Sequence, residues 1–490
     1  MALNAESVPM RWPAGPLDIA RHEKEKGFSA EKAEVLRQWL APASLAVVQN
    51  TPVNFLVVNW AAGLPADADQ QQALKPLIEK GRQAGLGFVG LIEGEANKPA
   101  ALAAAQSAGL SAVAMDGDTP GSTGVPVIPW NKAAQVRPTT NSPVLGISDG
   151  LWPGVPERNL GPAGPTNLAW VDSNGAALLI TRTLAPDKVV WIDYDPPPQT
   201  KVTAEQYMLA VADAASYGAR WVVSLDDQLR ADLTANKQPA LDTWKKAAGT
   251  LAFFEQHKQA RTYQPMGPVA VVSNFAGADW DFGKAAVNLL PRVRQPFQII
   301  VRSRAVGASF AGLQAIFYVD HEAPEPKLRE KLTAFAKGGG TLFVRSDWPN
   351  PEGTPAPAEP YLLFNVRSLG KGRLAVCKED QPVVYDAVSD VQVIMSHRND
   401  LLRLYSASSS NFFYQTSAQG RQGVIHLLNY SHRPGSDVAV FYMKEPHKSA
   451  RLVSPEIASP TELKLEPQDG GGQEFAVPKL AVYGAIELEK

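Results

Sequence analysis

Short apolar runs alternate with segments of helical periodicity over the first 265 residues of the chain. VNFLVVNW (Val53–Trp60) reads as a buried strand, and a polar-patterned helix follows from about Gln70 to Ala84. LGFVGLIEG (Leu86–Gly94) is the next strand, an Ala-rich helix runs to about Ala108, and SAVAMDGD (Ser111–Asp118) is the strand after it. Strand, helix and strand at this spacing predict parallel βαβ units. Pro126–Trp130 and Val144–Ser148 fit further strands. Pro, Gly and Asn dominate from Asn131 to Pro186, where ALLITR (Ala177–Arg182) is the clearest strand. The pattern recovers at VVWIDYDPPP (Val189–Pro198), an apolar strand that ends in two acids and is stopped by prolines. Thr203 caps the next helix, with Gln206 at the capping-box position and Gly218 at C′. Ala219–Asp227 is a strand, and Leu241–His257 is a closing helix. About eight strands in this span predict a (β/α)8-like barrel with an irregular middle. A doubly wound sheet is the alternative.

The rest of the chain divides in two. Residues 266–376 carry strand patterns at Gly267–Asn274, FQIIVRS, Leu313–Asp320 and TLFVRSD, with helices over DWDFGKAAVNLL and PEPKLREKLTAFAKGGG between them. This predicts a small flavodoxin-like α/β domain. Pro349–Pro360 is a Pro-rich loop. Residues 377–490 show no helical pattern. QVIMS, LLRLYSAS, NFFYQTS, GVIHLLNYS, VAVFYMK and LAVYGAIEL alternate with turn-like segments, among them a hairpin loop at Asp469–Gln473. That pattern predicts an antiparallel β-sandwich. The expectation is an α/β multidomain chain with a barrel over 1–265, a flavodoxin-like domain over 266–376 and a sandwich over 377–490.

Composition narrows the chemistry. A formal net charge of −2 and the absence of a basic stripe argue against a nucleic-acid partner. No apolar run reaches the length of a membrane span. The single cysteine, Cys377, rules out an intramolecular disulfide framework and a Cys-based zinc site. No HxH or HExxH spacing appears among the scattered histidines, and GxGxxG, P-loop and GxSxG motifs are absent, so neither a metal nor a cofactor is expected. The first residues lack a signal peptide's basic and apolar regions. They are compatible with the mature N-terminus of a periplasmic or secreted protein carrying an added Met, and the compartment stays open.

Barrel, flavodoxin-like sheet and sandwich in this order resemble the layout of family 42 β-galactosidases and related clan A glycoside hydrolases. Gly312–Val344, with its strand, loop, helix, Gly-Gly-Gly and strand, is similar to the glutamine-amidotransferase-like middle domain of those enzymes, and Gly423–Ser431 and Pro478–Leu488 to their C-terminal domain. The resemblance implies a carbohydrate ligand and homo-oligomer contacts through the middle domain. Amidotransfer needs a cysteine nucleophile at a strand-to-helix turn. Asp320 and His321 stand there and Cys377 lies well beyond, so a non-catalytic middle domain is expected. Clan A enzymes carry Asn-Glu after strand four and Glu at the end of strand seven. Here the corresponding ends read Met115-Asp116-Gly117-Asp118 and Asp193-Tyr194-Asp195, so that pair does not carry over.

Barrel enzymes build their sites at the C-terminal strand ends. Glycoside hydrolysis needs two carboxyls there, one to protonate the leaving oxygen and one to attack or to activate water. Asp195 and Glu93 are the expected catalytic pair, with Asp116 and Asp226 in reserve. Asp172, Asn174, Trp60, Trp130 and Asp193 are expected to contact substrate. Alternation puts Asp193 one layer below Asp195, where it needs a cationic or hydrogen-bonding partner. Strand-end acids are also common helix caps and solvated turn residues, with Asp227 the expected cap after the last strand. Asp172–Gly175 is also strong turn chemistry. An active glycoside hydrolase and a catalytically degenerate carbohydrate-binding or assembly protein both fit this pattern.

Overall fold

The computed structural model describes the chain except residues 24, 26, 118–123, 137–139, 156–169, 197–200, 358–361, 406–409 and 432–438. Asp118, Pro197, Pro198 and the end of the Pro-rich loop therefore lie outside the described residues. Two compact units are present. One comprises Met1–Trp152 and Ala185–Lys258, the other Pro153–Leu184 and Gln259–Lys490.

The first unit is a parallel barrel. Its strands are β1 (Pro9–Arg11), β2 (Phe55–Ala61), β3 (Gly87–Ile92), β4 (Ala112–Met115), β5 (Val127–Asn131), β6 (Val144–Ile147), β7 (Val189–Ile192) and β8 (Arg220–Trp221), and they pair in sequence order. A parallel bridge between Met10 and Val223 brings the last strand back to the first. The Arg11 amide donates to Val223 at 2.8 Å there. All residues of β2 and β3 are buried, as expected for parallel strands covered on both faces. Phe55 and Val57 of β2, Val89 and Leu91 of β3, Trp130 of β5 and Trp191 of β7 share one apolar cluster inside the ring. With a side-chain period of two, the same inward faces continue to Asn59, Glu93 and Asp193 at the C-terminal strand ends. The core pattern therefore delivers polar groups to the mouth.

Several expectations change. β1 was not anticipated, because three residues containing a proline give no readable period. The single helix expected over Gln70–Ala84 is two helices, Asp67–Ala73 and Lys75–Gln83, the second opening with Pro76 in its first turn. Ala177–Arg182 is not a strand: it lies within a helix, Gly175–Leu184, that belongs to the second unit. Seven successive residues of that helix, Gly175–Thr181, are buried. An apolar run without a polar face does not distinguish a buried helix from a buried strand. The capping box of Thr203 and Gln206 forms as expected, and Gly218 adopts φ 76°.

In the second unit, Phe297–Val301, Val269–Ser273, Ala315–Tyr318, Thr341–Val344 and Gly372–Cys377 form a parallel sheet in that order. Antiparallel strands Phe364–Leu369 and Thr354–Pro355 extend it. A four-stranded and a six-stranded antiparallel sheet follow. Leu402, Phe441 and Phe475 of one and Phe412, Ile425 and Ile486 of the other share a core, giving a sandwich. The region expected to lack helices holds one, Val384–Met395, which takes in most of the QVIMS segment expected as a strand. Its β-branched residues favour a strand locally, but burial of Ala387, Val388, Val391 and Ile394 along one side stabilises the helix.

Candidate functional site

The described C-terminal strand ends of the barrel carry two arginine-centred clusters. In the first, Arg11 at the end of β1 grips Asp193 just past β7. Its Nη2 donates to Asp193 Oδ2, and its Nε donates to Oδ1 at 3.2 Å. Its Nη1 lies 3.7 Å from Asp195 Oδ2. Arg11 and Asp193 are buried, whereas Asp195 is exposed. Burial pushes the Asp193 carboxyl upward, against the charge and hydrogen bonds of Arg11. Burial alone would weaken the Arg11 proton, but the carboxylates of Asp193 and then Asp195 more than compensate and hold the guanidinium charged. Glu93 adds to that hold, so it sits within electrostatic reach.

In the second cluster, Arg21 of α1 (Pro16–His22) donates through Nη1 to Glu93 Oε2 at 2.7 Å and to Asn59 Oδ1 at 3.2 Å. Asn59 Nδ2 donates to Asp18 Oδ1 at 2.5 Å, and Asp18 Oδ2 accepts from the Ala14 amide at 3.0 Å. Asp18 is fully buried. Burial raises its pKa, with the Asn59 and Ala14 hydrogen bonds opposing. The β2–β3 register shifts between Asn59 and Ala61. A bulge of this kind re-aims side chains beside functional sites. The loop after β6 presses on the β7 acids from behind. The Gly150 amide donates to Asp193 O at 3.1 Å, and a Cβ at Gly150 would stand 2.5 Å from that oxygen.

A pocket of about 350 Å³ opens beside Asp195. Its walls come from α2 (Ala30–Gln38), the residues before it, and the helix Asp227–Thr234. Phe28, Val35 and Leu36 give it an apolar side, and charged groups line the remainder. The volume falls in the range of small-molecule sites.

The other expected residues are distributed differently. Asp116 is exposed and paired with Lys98 at 2.9 Å. Asp226 lines the pocket, but it is also the helix cap, a role expected of Asp227: its Oδ1 accepts from the Leu229 amide at 3.0 Å and its Oδ2 from the Tyr207 hydroxyl at 2.8 Å. Asp227 instead begins the helix, one residue inside the cap. Trp60 is fully buried and donates to Ala101 O at 2.9 Å, beneath the helix Lys98–Ala108. Trp130 is part of the barrel core. Asp172 and Asn174 belong to the second unit, where Asp172 accepts from Trp170 Nε1 at 3.0 Å and Asn174 opens the helix Gly175–Leu184. Arg11, Arg21, Asn59 and Asp18 were not singled out from the sequence. The one available signal was that a carboxylate as deep as Asp193 needs a cation. Among the described residues no group of three or more His, Cys, Asp or Glu is placed to hold a metal ion, and no helix is long and apolar enough to cross a membrane.

No protein-family model and no curated protein matches the chain. Solved structures do resemble it. Alpha-L-fucosidase isoenzyme 2 from Paenibacillus thiaminolyticus aligns over 99% of this chain and 100% of its own, with a TM-score of 0.59 at 11% identity. The fold is one that glycoside hydrolases use. A beta-galactosidase from Bacillus circulans sp. alkalophilus aligns over 97% of this chain and 88% of its own, with a TM-score of 0.46 at 9% identity. A rhamnosidase from Novosphingobium sp. PP1Y aligns over 86% and 39%, with a TM-score of 0.43 at 13% identity. The fucosidase likeness shows a shared fold and nothing finer.

Proposed function

We propose that this chain is a glycoside hydrolase that takes a carbohydrate at the C-terminal mouth of its barrel, with Asp195 and Glu93 as the carboxyl pair. The observation that carries this reading is the arginine-centred arrangement. Arg11 faces Asp195 at 3.7 Å with Glu93 in its electrostatic reach, and Asp195 lines a pocket sized for a small ligand. Glu93, held by Arg21 at 2.7 Å, is the carboxylate that attacks the anomeric carbon or activates water. Asp195, more exposed and in a longer ion pair, protonates the leaving oxygen. The fold shared with a fucosidase supports the class of reaction.

The test is hydrolysis of a panel of aryl α-L-fucosides, β-galactosides and α-L-rhamnosides. Asp195→Asn and Glu93→Gln should each lower the rate by about 100-fold or more. Unchanged rates in either variant remove that residue from the mechanism. A second reading, a carbohydrate-binding protein without hydrolysis, is favoured by one observation. Both expected catalytic carboxyls face arginines, so each is engaged within the protein rather than free to act on a substrate. Sugar binding with no turnover across the panel would establish that reading instead.

A further inference from the structure

We propose that the pocket beside Asp195 selects sugars that carry no negative charge and excludes uronates and sulfated or phosphorylated rings. The inference rests on the carbohydrate reading above and names the substrate class for that site.

It follows from how the charges lining the pocket are arranged. Six carboxylates face three permanent cations among its described lining residues. Each of those cations is already engaged. Lys32 pairs with Asp227 at 2.7 Å, Arg230 with Asp227 at 2.5 Å, and Lys237 with Asp232 at 2.7 Å. His22, the remaining basic group, sits 3.0 Å from Glu25. Burial would raise the Asp227 pKa, but Lys32 and Arg230 together bring it below the ordinary carboxylate value, so Asp227 keeps its charge and cancels theirs. The carboxylates are not balanced in return. Glu31 has no ion pair among the described residues, and Asp195 has only the 3.7 Å contact to an Arg11 already committed to Asp193. A ligand carboxylate or sulfate would enter a negative field and find no cation to meet it. Like-charge juxtaposition of this kind is a strong device for rejecting partners.

A second observation points to the ligand atoms that would be welcome. Arg230 lines the pocket with 8% of its surface exposed, and its buried Nε has no hydrogen-bond partner. Its charge is offset by Asp227, so the wall it forms carries no surplus positive charge. That suits the hydroxyl or ring oxygen of an uncharged sugar. Phe28, Val35 and Leu36 offer apolar contact to the C–H face of such a ring.

The test is equilibrium binding of matched pairs to the full chain, by calorimetry or ligand-observed NMR. Methyl galactoside is compared with methyl galacturonate, and methyl glucoside with methyl glucuronate, at low and at high salt. The neutral member should bind at least about ten-fold more tightly at low salt, with the gap narrowing as salt screens the field. Asp227→Asn releases Lys32 and Arg230 and should close the gap to about three-fold or less. Asp232→Asn releases Lys237 at the pocket edge and should narrow it in the same direction if Asp227→Asn does not fold. A uronate that binds the unaltered chain as tightly as its neutral partner overturns charge selection and leaves the carbohydrate reading standing. Binding of neither member of either pair overturns charge selection at this pocket, and the carbohydrate reading is overturned with it only when the fucosides and rhamnosides of the hydrolysis panel also fail to bind.

Discussion

Replacing Arg11 by methionine tests the central claim about the barrel mouth. The Arg11–Asp193 pair is buried on both sides, with side chains 9% and 4% exposed. At an effective dielectric near 20, unit charges at their 3.2 Å Nε–Oδ1 separation attract by about 5 kcal/mol. Part of that gain offsets the cost of removing both groups from water. Arg11→Met keeps the stem of the side chain but leaves Asp193 buried without its cation. Losing one member of a buried pair costs about 3–5 kcal/mol. The cost depends on pH in a definite direction. Burial raises the folded-state pKa of Asp193, and removing Arg11 takes away the opposing pull. An acid with a raised folded-state pKa holds its proton better in the folded chain than in the unfolded one. Its destabilising effect is therefore absent below the unfolded value near 3.9 and grows as pH rises through the folded-state value.

Denaturant unfolding followed by tryptophan fluorescence is the assay. Eight of the eleven tryptophans lie in the barrel unit, so the signal reports on the right part of the molecule. Arg11→Met should lower barrel stability by about 3–5 kcal/mol at neutral pH and by clearly less near pH 4. Arg11→Met combined with Asp193→Leu should recover part of the loss, because no unpaired charge remains. A single-variant loss under about 1 kcal/mol, or an equal loss at both pH values, would refute the assignment of a structural ion pair.

Three further outcomes follow from other contacts. Gly150→Ala places a methyl 2.5 Å from Asp193 O, so it should cost about 1–3 kcal/mol and weaken sugar binding, read by melting temperature and calorimetry. Asp226→Ala removes a helix cap and leaves the Tyr207 hydroxyl without its acceptor, so it should cost about 2–4 kcal/mol in denaturant unfolding. His426 is pushed down to about 3, first by burial and then by the nearby Arg182 charge. It stays neutral in the folded chain while the unfolded chain takes up a proton, so stability is lost as pH falls from about 6.5 toward 3. His426→Phe should show a smaller loss between pH 7 and pH 4 in acid unfolding monitored by circular dichroism.

Parallel strands buried on both faces write long apolar runs, which is why β2, β3 and β7 were readable from the chain alone. β1 was not, because three residues carry no period and its pairing comes from β2 and Val223. The helix Gly175–Leu184 was read as a strand because its surroundings bury every side and erase the 3.6-residue stripe. At the site, the acids were legible as strand-end residues. Their partners were not: Arg11 reaches Asp193 across 182 positions and Arg21 reaches Glu93 across 72. Local pattern shows where a charge must be answered, and only the closed barrel shows what answers it. The cap falls on Asp226 rather than Asp227 for a related reason. Which of two adjacent acids caps a helix depends on where the helix begins, a boundary the sequence leaves loose.

The two arginine clusters share one logic. Each solvent-reachable carboxylate, Asp195 or Glu93, faces an arginine, and each arginine is fastened from below by a buried acid. Asp193 holds Arg11 directly, and Asp18 holds Arg21 through Asn59. A surface ion pair alone gives little fixed geometry, because two long side chains must be ordered for a small gain. Fastening the arginine to an interior acid removes that freedom before any ligand arrives. The buried acids then act on the mouth without touching it. Loosening Asp18 or Asp193 should disorder the outer carboxylates even where the fold survives. Stability and site geometry are therefore coupled through the same two guanidinium groups, and a variant that relieves the buried charge will do so at the expense of the order at the mouth.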